Sequence, residues 1–172
     1  MVTVRPAHPD EYVQIGEFTT EVYVGEGFIP ASSEYAATLA DTEARARDTE
    51  IFVGVHNGRV AGSITVARPG SSYAPLAADD ELEFRMLAVA KAARGRGLGS
   101  TLVRHVLDLA AAEGCRAVVL STMASMVEAR RLYERLGFVR VPERDWEVVP
   151  GVLLPVLEYQ LSARSINPAP SR

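Results

Sequence analysis

The sequence predicts a mixed α/β (α+β) fold, with about six or seven strands in one mixed sheet and about four flanking helices. Three observations point there. Asn57-Gly58 lies between the apolar runs IFVGV (51–55) and RVAGSITVA (59–67), and Asn-Gly supplies the positive φ angles of a tight hairpin turn. ELEFRMLAV (81–89) runs into the glycine-rich ARGRGLGSTL (93–102), which opens a segment of helical period, so strand, loop and helix follow directly. RAVVLST (116–122) is a nearly continuous apolar run, suited to a strand buried on both faces.

The elements follow in order. Val2 to Arg5 is a short extended opening. Pro9 suits a first helical turn, and Tyr12, Ile15, Phe18 or Thr19, and Val22 recur at helical spacing. Gly25, Gly27 and Pro30 end that helix within VGEGFIP, a candidate pocket wall. Ser32 or Ser33 caps a second helix running to about Asp48, with Tyr35 and Leu39 on one face. The hairpin comes next, then a loop from Pro69 to Asp80 and the strand 81–89. Leu98, Leu102, Val106, Leu109 and Ala110 line one face of a third helix that Gly114 ends. After the strand 116–122, Ser125 and Glu128 have the spacing of a capping box for a fourth helix carrying Ala129, Leu132, Tyr133 and Leu136. Two last strands, about 138–149 and 152–161, meet at Pro150-Gly151. The expected organisation is one domain over 1–161 with a polar tail, 162–172, that has nothing to bury.

A chain of 172 residues is long enough to bury a core without disulfides or metals. No run approaches the roughly 18 apolar residues of a membrane span, and the polar start is unlike a secretory leader, so a soluble, cytoplasmic protein is expected, without a membrane partner. The lone Cys115 agrees with a reducing compartment and reads as a structural thiol. With net charge −4 and pI about 5.4, nothing global draws the chain to nucleic acid. His8, His56 and His105 lack metal-ligand spacing, so no metal is expected. A homodimer is left open.

The glycine loop points to an anion. Bare backbone N–H groups that join the unpaired donors and positive dipole of a helix N-terminus make a phosphate site. Two familiar phosphate loops do not fit. In a dinucleotide loop counted from Gly95 and Gly97, Ser100 stands where the last glycine belongs, and the next strand ends in Ser121-Thr122 without an acid. A triphosphate loop needs lysine after its last glycine, and Gly99 is followed by Ser100-Thr101.

Arg94-Gly95-Arg96-Gly97-Leu98-Gly99 matches the (Q/R)xxGx(G/A) acetyl-CoA signature of the GNAT N-acetyltransferase superfamily, and ARRLYERLGF (129–138) resembles its second signature, AxxLYxxxGF. The signatures stand in the family's order, and the elements from 1 to 161 resemble the family throughout. The resemblance implies a mostly antiparallel sheet with a splayed strand pair forming an acyl-CoA cleft. It also implies that backbone N–H groups from Arg96 to Ser100 hold the pyrophosphate of coenzyme A, with the Ser100 and Thr101 hydroxyls nearby and the Arg94 and Arg96 side chains adding charge. Leu87, Ala88 and Val89 match the strand that bonds the pantetheine arm, and a backbone N–H at or near Val89 would serve as oxyanion donor. Tyr133 occupies the general-acid position. Met126 stands where many members place asparagine.

The implied function is transfer of an acetyl group from acetyl-CoA to a primary amine by direct attack in a ternary complex. Glu83, eleven residues before Arg94, sits where some members carry a glutamate base; Glu81, on the same strand face, and water are the other candidates. Acids at 79, 80, 81 and 83 mildly favour a cationic acceptor, while Phe28, Tyr35, Tyr73 and Trp146 are candidate walls. Small-molecule and peptide amines both stay open. A non-catalytic acyl-CoA-binding module and a transferase of longer acyl groups are the rival functions.

Overall fold

The computed structural model describes residues 1–161; the expected tail, 162–172, lies outside the described residues. Its chain order is β1 (Val2–Pro6), α1 (Tyr12–Thr20), α2 (Glu34–Ala40), α3 (Thr42–Ala46), β2 (Glu50–His56), β3 (Arg59–Ala67), β4 (Glu81–Val89), α4 (Leu98–Ala112), β5 (Ala117–Ser121), α5 (Val127–Leu136), β6 (Val139–Arg140), β7 (Trp146–Val149), β8 (Val152–Leu154) and β9 (Val156–Gln160). A seven-stranded sheet has the order β1-β2-β3-β4-β5-β9-β6, and β7 and β8 form a separate hairpin. Within the large sheet only β4 and β5 run parallel.

Strand alternation gives each sheet face its own core. Phe52, Ile64, Val66, Leu82 and Phe84 face Leu98, Leu102, Val103 and Val106 of α4 and Tyr133 of α5. Ile51, Val53 and Ala88 point the other way, onto Ile15, Phe18 and Val22. The expected hairpin forms at Asn57 (φ 51°) and Gly58 (φ 75°). Gly54 and Gly62 let α4 lie close, since a Cβ at either would stand 2.7 and 3.0 Å from Leu98 side-chain atoms. Among the described residues no helix is long and apolar enough to cross a membrane.

Three expectations are corrected. The helix foreseen from Ser32 or Ser33 to Asp48 is two helices: Ser33 Oγ accepts from the Tyr35 N–H at 3.2 Å to cap α2, and Asp41 leaves helical geometry (ψ 72°) to cap α3 through the Ala44 N–H at 3.0 Å. The Ser125–Glu128 capping box does not form. A turn over 123–126 already commits the Ser125 carbonyl to the Val127 N–H at 2.9 Å, so the helix starts after Met126 and Glu128 pairs with Arg131 instead. The two long final strands are four short ones, because Pro142 and Pro155 offer no N–H to a ladder.

Candidate active site

The site begins where β4 and β5 part. They pair only from Glu81–Glu83 to Ala117–Val119. β5 then stays with β9: Ser121 pairs with Val156, and the Thr122 N–H donates to the Pro155 carbonyl at 3.0 Å. β4 instead follows β3 through a bulge. Thr65 pairs with Arg85 and Ser63 with Ala88, which leaves one extra residue on β4, and Met86 sits there at φ 56°. The extra residue swaps the faces, so Phe84 lies in the α4 core whereas Ala88 lies in the α1 core.

Beyond the bulge the main chain of β4 has an unshared side. The Ala90 N–H donates to the Ala61 carbonyl at 2.8 Å, and Val89 pairs with Gly62, so antiparallel alternation turns the N–H and C=O of Val89 away from β3. The same alternation turns Leu87 outward. Its carbonyl accepts from the Tyr23 hydroxyl at 3.1 Å, and the Val89 carbonyl receives Arg94 Nε at 3.4 Å.

The loop after β4 makes one short helical turn, Lys91–Ala93, and then reaches Gly95 (φ 76°) and Gly97 (φ 75°). Gly97 is the residue before α4 and no side chain caps it. The first helical bond runs from the Thr101 N–H to the Gly97 carbonyl at 3.0 Å, so the N–H groups of Leu98, Gly99 and Ser100 are the helix's unpaired donors. A Cβ on Gly95 or Gly97 would meet nothing within 4 Å, whereas one on Gly99 would stand 3.2 Å from Leu132 Cδ2. The loop is thus open outward while the helix start rests on α5. Arg94 pairs with Glu26, which ties the loop to the segment after α1, and Arg96 is exposed. The Thr101 hydroxyl donates to the Gly97 carbonyl at 2.9 Å. Beside Arg94, a cavity of about 180 Å³ is lined by Phe18, Val22, Gly25 and Glu26, so of VGEGFIP only Gly25 and Glu26 wall it.

Tyr133 stands on α5, buried, with its ring 5.7 Å from that of Phe84 and 5.9 Å from that of Phe138. Burial pushes its phenol well above the ordinary value, so it stays protonated. Glu83 is buried, and its Oε1 accepts the N–H groups of Leu76 at 2.9 Å and Ala77 at 3.1 Å. Desolvation outweighs these bonds and the charges of Arg85 and Arg144, pushing its carboxyl up to about 7. Glu81 differs. Burial acts upward on it too, but bonds from Arg144 (2.9 Å to each oxygen) and the Ala78 N–H (2.8 Å), with the charges of Arg144 and Arg116, hold it below the carboxylate range. It also binds Arg116, so Glu81 is an anchored ion, occupied on both oxygens.

Of the four acids at 79, 80, 81 and 83 only the first two are at the surface, and Asp80 pairs with Arg116 at 3.4 Å. Glu81 and Glu83 are buried, Glu81 with both oxygens occupied and Glu83 with its Oε1 occupied. Arg85 and Arg45 were missed. Arg85 follows Glu81 and Glu83 on one strand face, a pattern the sequence does display, and its Nη2 donates to the Tyr35 hydroxyl at 3.2 Å. Arg45 is only 1% exposed. Tyr23, Tyr35, Tyr133, Arg45 and Arg85 lie close enough together that the other four all bear on the Tyr23 phenol, which burial chiefly pushes well up. Among the described residues no three His, Cys, Asp or Glu side chains gather as a metal site.

A strand pair splayed at a bulge, with a glycine loop opening a helix beside it, defines a cleft able to hold an extended chain that ends in phosphate. The family follows from comparison: residues 16–138 match the model of the acetyltransferase (GNAT) family, and the chain belongs to that family. It is 36% identical over 107 residues to human N-acetylaspartate synthetase, covering 62% of this chain and 33% of that protein, and 37% identical over 93 residues to N-alpha-acetyltransferase MAK3 of Arabidopsis thaliana, covering 52% and 44%. The chain thus spans about a third of the first curated relatives it matches. Among solved structures, a GNAT acetyltransferase of Staphylococcus aureus Mu50 superposes with a TM-score of 0.74 at 15% identity, over 93% of this chain and 99% of that one. The putative acetyltransferase yncA of Salmonella typhimurium, solved with its cofactor acetyl-CoA, gives 0.67 at 21%, over 99% and 98%. A GCN5-related N-acetyltransferase of Kribbella flavida gives 0.67 at 28%, over 93% and 98%.

Proposed function

We propose that the chain is an acetyl-CoA-dependent N-acetyltransferase acting on a primary amine by direct attack in a ternary complex. The observation that carries this reading is the outward-turned main chain of Leu87 and Val89, which leads directly into a glycine loop whose helix start has no side-chain cap. The residues fit the cofactor: at Gly95 and Gly97 nothing stands within 4 Å of where a Cβ would be, so phosphate oxygens can approach the amides of 96–100. Leu87 and Val89 would hold the pantetheine arm as a missing strand, with Ala88 turned to β3. Ser100 and Thr101 would stand at the phosphates, Thr101 as an acceptor because its proton serves Gly97. Arg96 would add charge, and Arg94 would do so on leaving Glu26.

When bound, acetyl-CoA supplies an acetyl group activated as a thioester. Glu83, as carboxylate, takes a proton from the acceptor ammonium, directly or through water. The Val89 N–H would donate to the thioester carbonyl oxygen, a contribution of about 2.7–4 kcal/mol for such a donor. Tyr133 Oη would supply the proton that the thiol leaving group needs. Its raised pKa does not oppose this, because the desolvation that holds the phenol protonated also disfavours a buried thiolate. The lone Cys115 is consistent with a reducing, cytoplasmic setting, and residues 1–161 are taken as the catalytic domain.

The test is thiol release from acetyl-CoA with an amine panel, alongside calorimetry of acetyl-CoA binding. Turnover is expected, and Tyr133→Phe should lower kcat by about 10²-fold while cofactor affinity changes less than about twofold. Binding without turnover on any amine would instead favour a non-catalytic acyl-CoA module. Faster release from longer acyl-CoAs would correct the donor.

A further inference from the structure

We infer that the acceptor is a small amine bearing a carboxylate, and that Arg85, with Arg45 behind it, anchors that carboxylate. The inference rests on the transferase reading for the amine and on the following geometry for the acid.

Arg45 is buried yet makes only neutral bonds: Nε donates to Thr65 Oγ1 at 3.2 Å, and Nη1 to the carbonyls of Thr38 at 3.0 Å and Leu39 at 3.3 Å. Among the described residues Nη2 has no acceptor, and no carboxylate lies within 4.0 Å of either Arg45 or Arg85. Nη2 is not sealed, for the buried polar atoms without partners are Thr19 Oγ1, Thr42 Oγ1 and Trp146 Nε1. Burial acts first on Arg45, lowering its pKa against the pull of Tyr35, Tyr73 and Asp41, but a guanidinium so placed keeps its charge. The Asp41 carboxylate is occupied as the cap of α3.

The second cation faces the same spot. Arg85 is directly opposite Thr65 in the β3–β4 ladder, so its side chain shares a face with the Arg45 Nε bond. It lies 5.8 Å from the Tyr35 ring centre and bonds the Tyr35 hydroxyl. Two guanidinium groups, one desolvated and neither ion-paired, are arranged for an anion. Of the carboxyls on that strand face, Glu81 is held by Arg144 and Arg116, and Glu83 points its Oε1 at the 76–77 amides.

Position selects the class of anion. Arg85 stands one residue before the bulge and two before Leu87, whose carbonyl holds Tyr23, so it borders the reacting end of the cleft. Glu83 is two residues back on the same face, about 6–7 Å along the strand. Two neighbouring positions on one strand face suit a small acceptor that carries its amine and its carboxylate on one molecule, such as an amino acid. A polycationic amine would meet two positive groups.

The experiment compares thiol release with L-alanine, L-methionine and L-phenylalanine, each against its α-carboxamide. The wild-type protein should prefer at least one acid over its amide by about tenfold or more in kcat/KM, expressed in KM. Arg85→Gln, at a half-buried position, should bring that ratio within about threefold of unity, and Arg85→Lys should restore part of it. Amides used as well as acids, or an Arg85→Gln effect equal on both, would overturn the inference while leaving the transferase reading intact. Should no amine turn over, calorimetry with N-acetyl-L-methionine and its amide in the presence of coenzyme A decides. Binding of the acid alone, lost in Arg85→Gln, supports the anchor although the transferase reading has failed; no preference for the acid sinks both.

Discussion

Glu83→Gln should make the protein more stable and less active at once, and the size of the first effect follows from the burial of the carboxyl. In the folded chain Glu83 is 1% exposed and its pKa rises from 4.5 to about 7. At 1.36 kcal/mol per unit, ionising it costs the folded state about 3 kcal/mol more than the unfolded one. Between pH 4.5 and 7 the unfolded chain has lost this proton and the folded chain has kept it, so stability falls as pH rises through that window and is level above it. Glutamine keeps an oxygen for the Leu76 and Ala77 N–H groups and carries no charge. The gain at pH 8 should approach about 3 kcal/mol as an upper bound, or roughly 6–12 °C in Tm for a chain of this size, and should vanish near pH 4.5. Meanwhile kcat/KM, which in the wild type rises with pH through about 7, should fall by about 10²–10⁴-fold and lose that limb. Thermal melts at pH 5 and 8, with a pH–rate profile of each protein, measure both. A stability gain independent of pH would refute the burial argument, and an unchanged acid limb would assign the base to water or another group.

Glu81→Gln should do the reverse, costing about 1.5–3 kcal/mol, because the buried carboxylate loses its charged bonds while Arg144 and Arg116, both partly exposed, keep Glu158. Since Glu81 is held below its ordinary pKa, its contribution is present above about pH 4.5 and is lost as pH falls through the folded value, so the variant's urea midpoint should respond less to acid than the wild type's. A loss below about 0.5 kcal/mol would dismiss the network. Gly54→Ala puts a Cβ 2.7 Å from Leu98 Cδ1 and should cost about 1–3 kcal/mol. Because Leu98 opens α4, acetyl-CoA affinity should fall with it; unchanged stability and affinity would show that Leu98 moves freely aside.

The hairpin, the glycine loop and the strand 81–89 were legible because each rests on local rules: Asn57-Gly58 takes φ values few other pairs tolerate, and helical or alternating periods need no partner to be read. What escaped depends on partners. Asp41 divides a helix by capping the next one, and Ser125 loses its box to a turn; both choices lie between competing local bonds of similar strength. The bulge at Met86 escaped for a different reason. Methionine carries no signature of φ 56°, and the extra residue shows only in the ladder, where the β3–β4 register shifts by one between Thr65–Arg85 and Ser63–Ala88.

That one residue governs the site. Without it Ala88 would point into the α4 core with Phe84, and Leu87 and Val89 would spend their N–H and C=O groups on β3. With it, the outward-turned polar row appears just past Arg85, while Glu81, Glu83 and Arg85 stay on the face that carries Tyr35. The charges on that row were visible as letters, but their roles were not: Glu81 and Glu83 differ by two positions, and only the arrival of Arg144 and Arg116 at one and of bare amides at the other separates an anchored ion from a titrating carboxyl. Residue type along β4 thus announced chemistry, and the strand's neighbours, contributed from residues 45, 65, 76 and 144, decide which chemistry each position can perform.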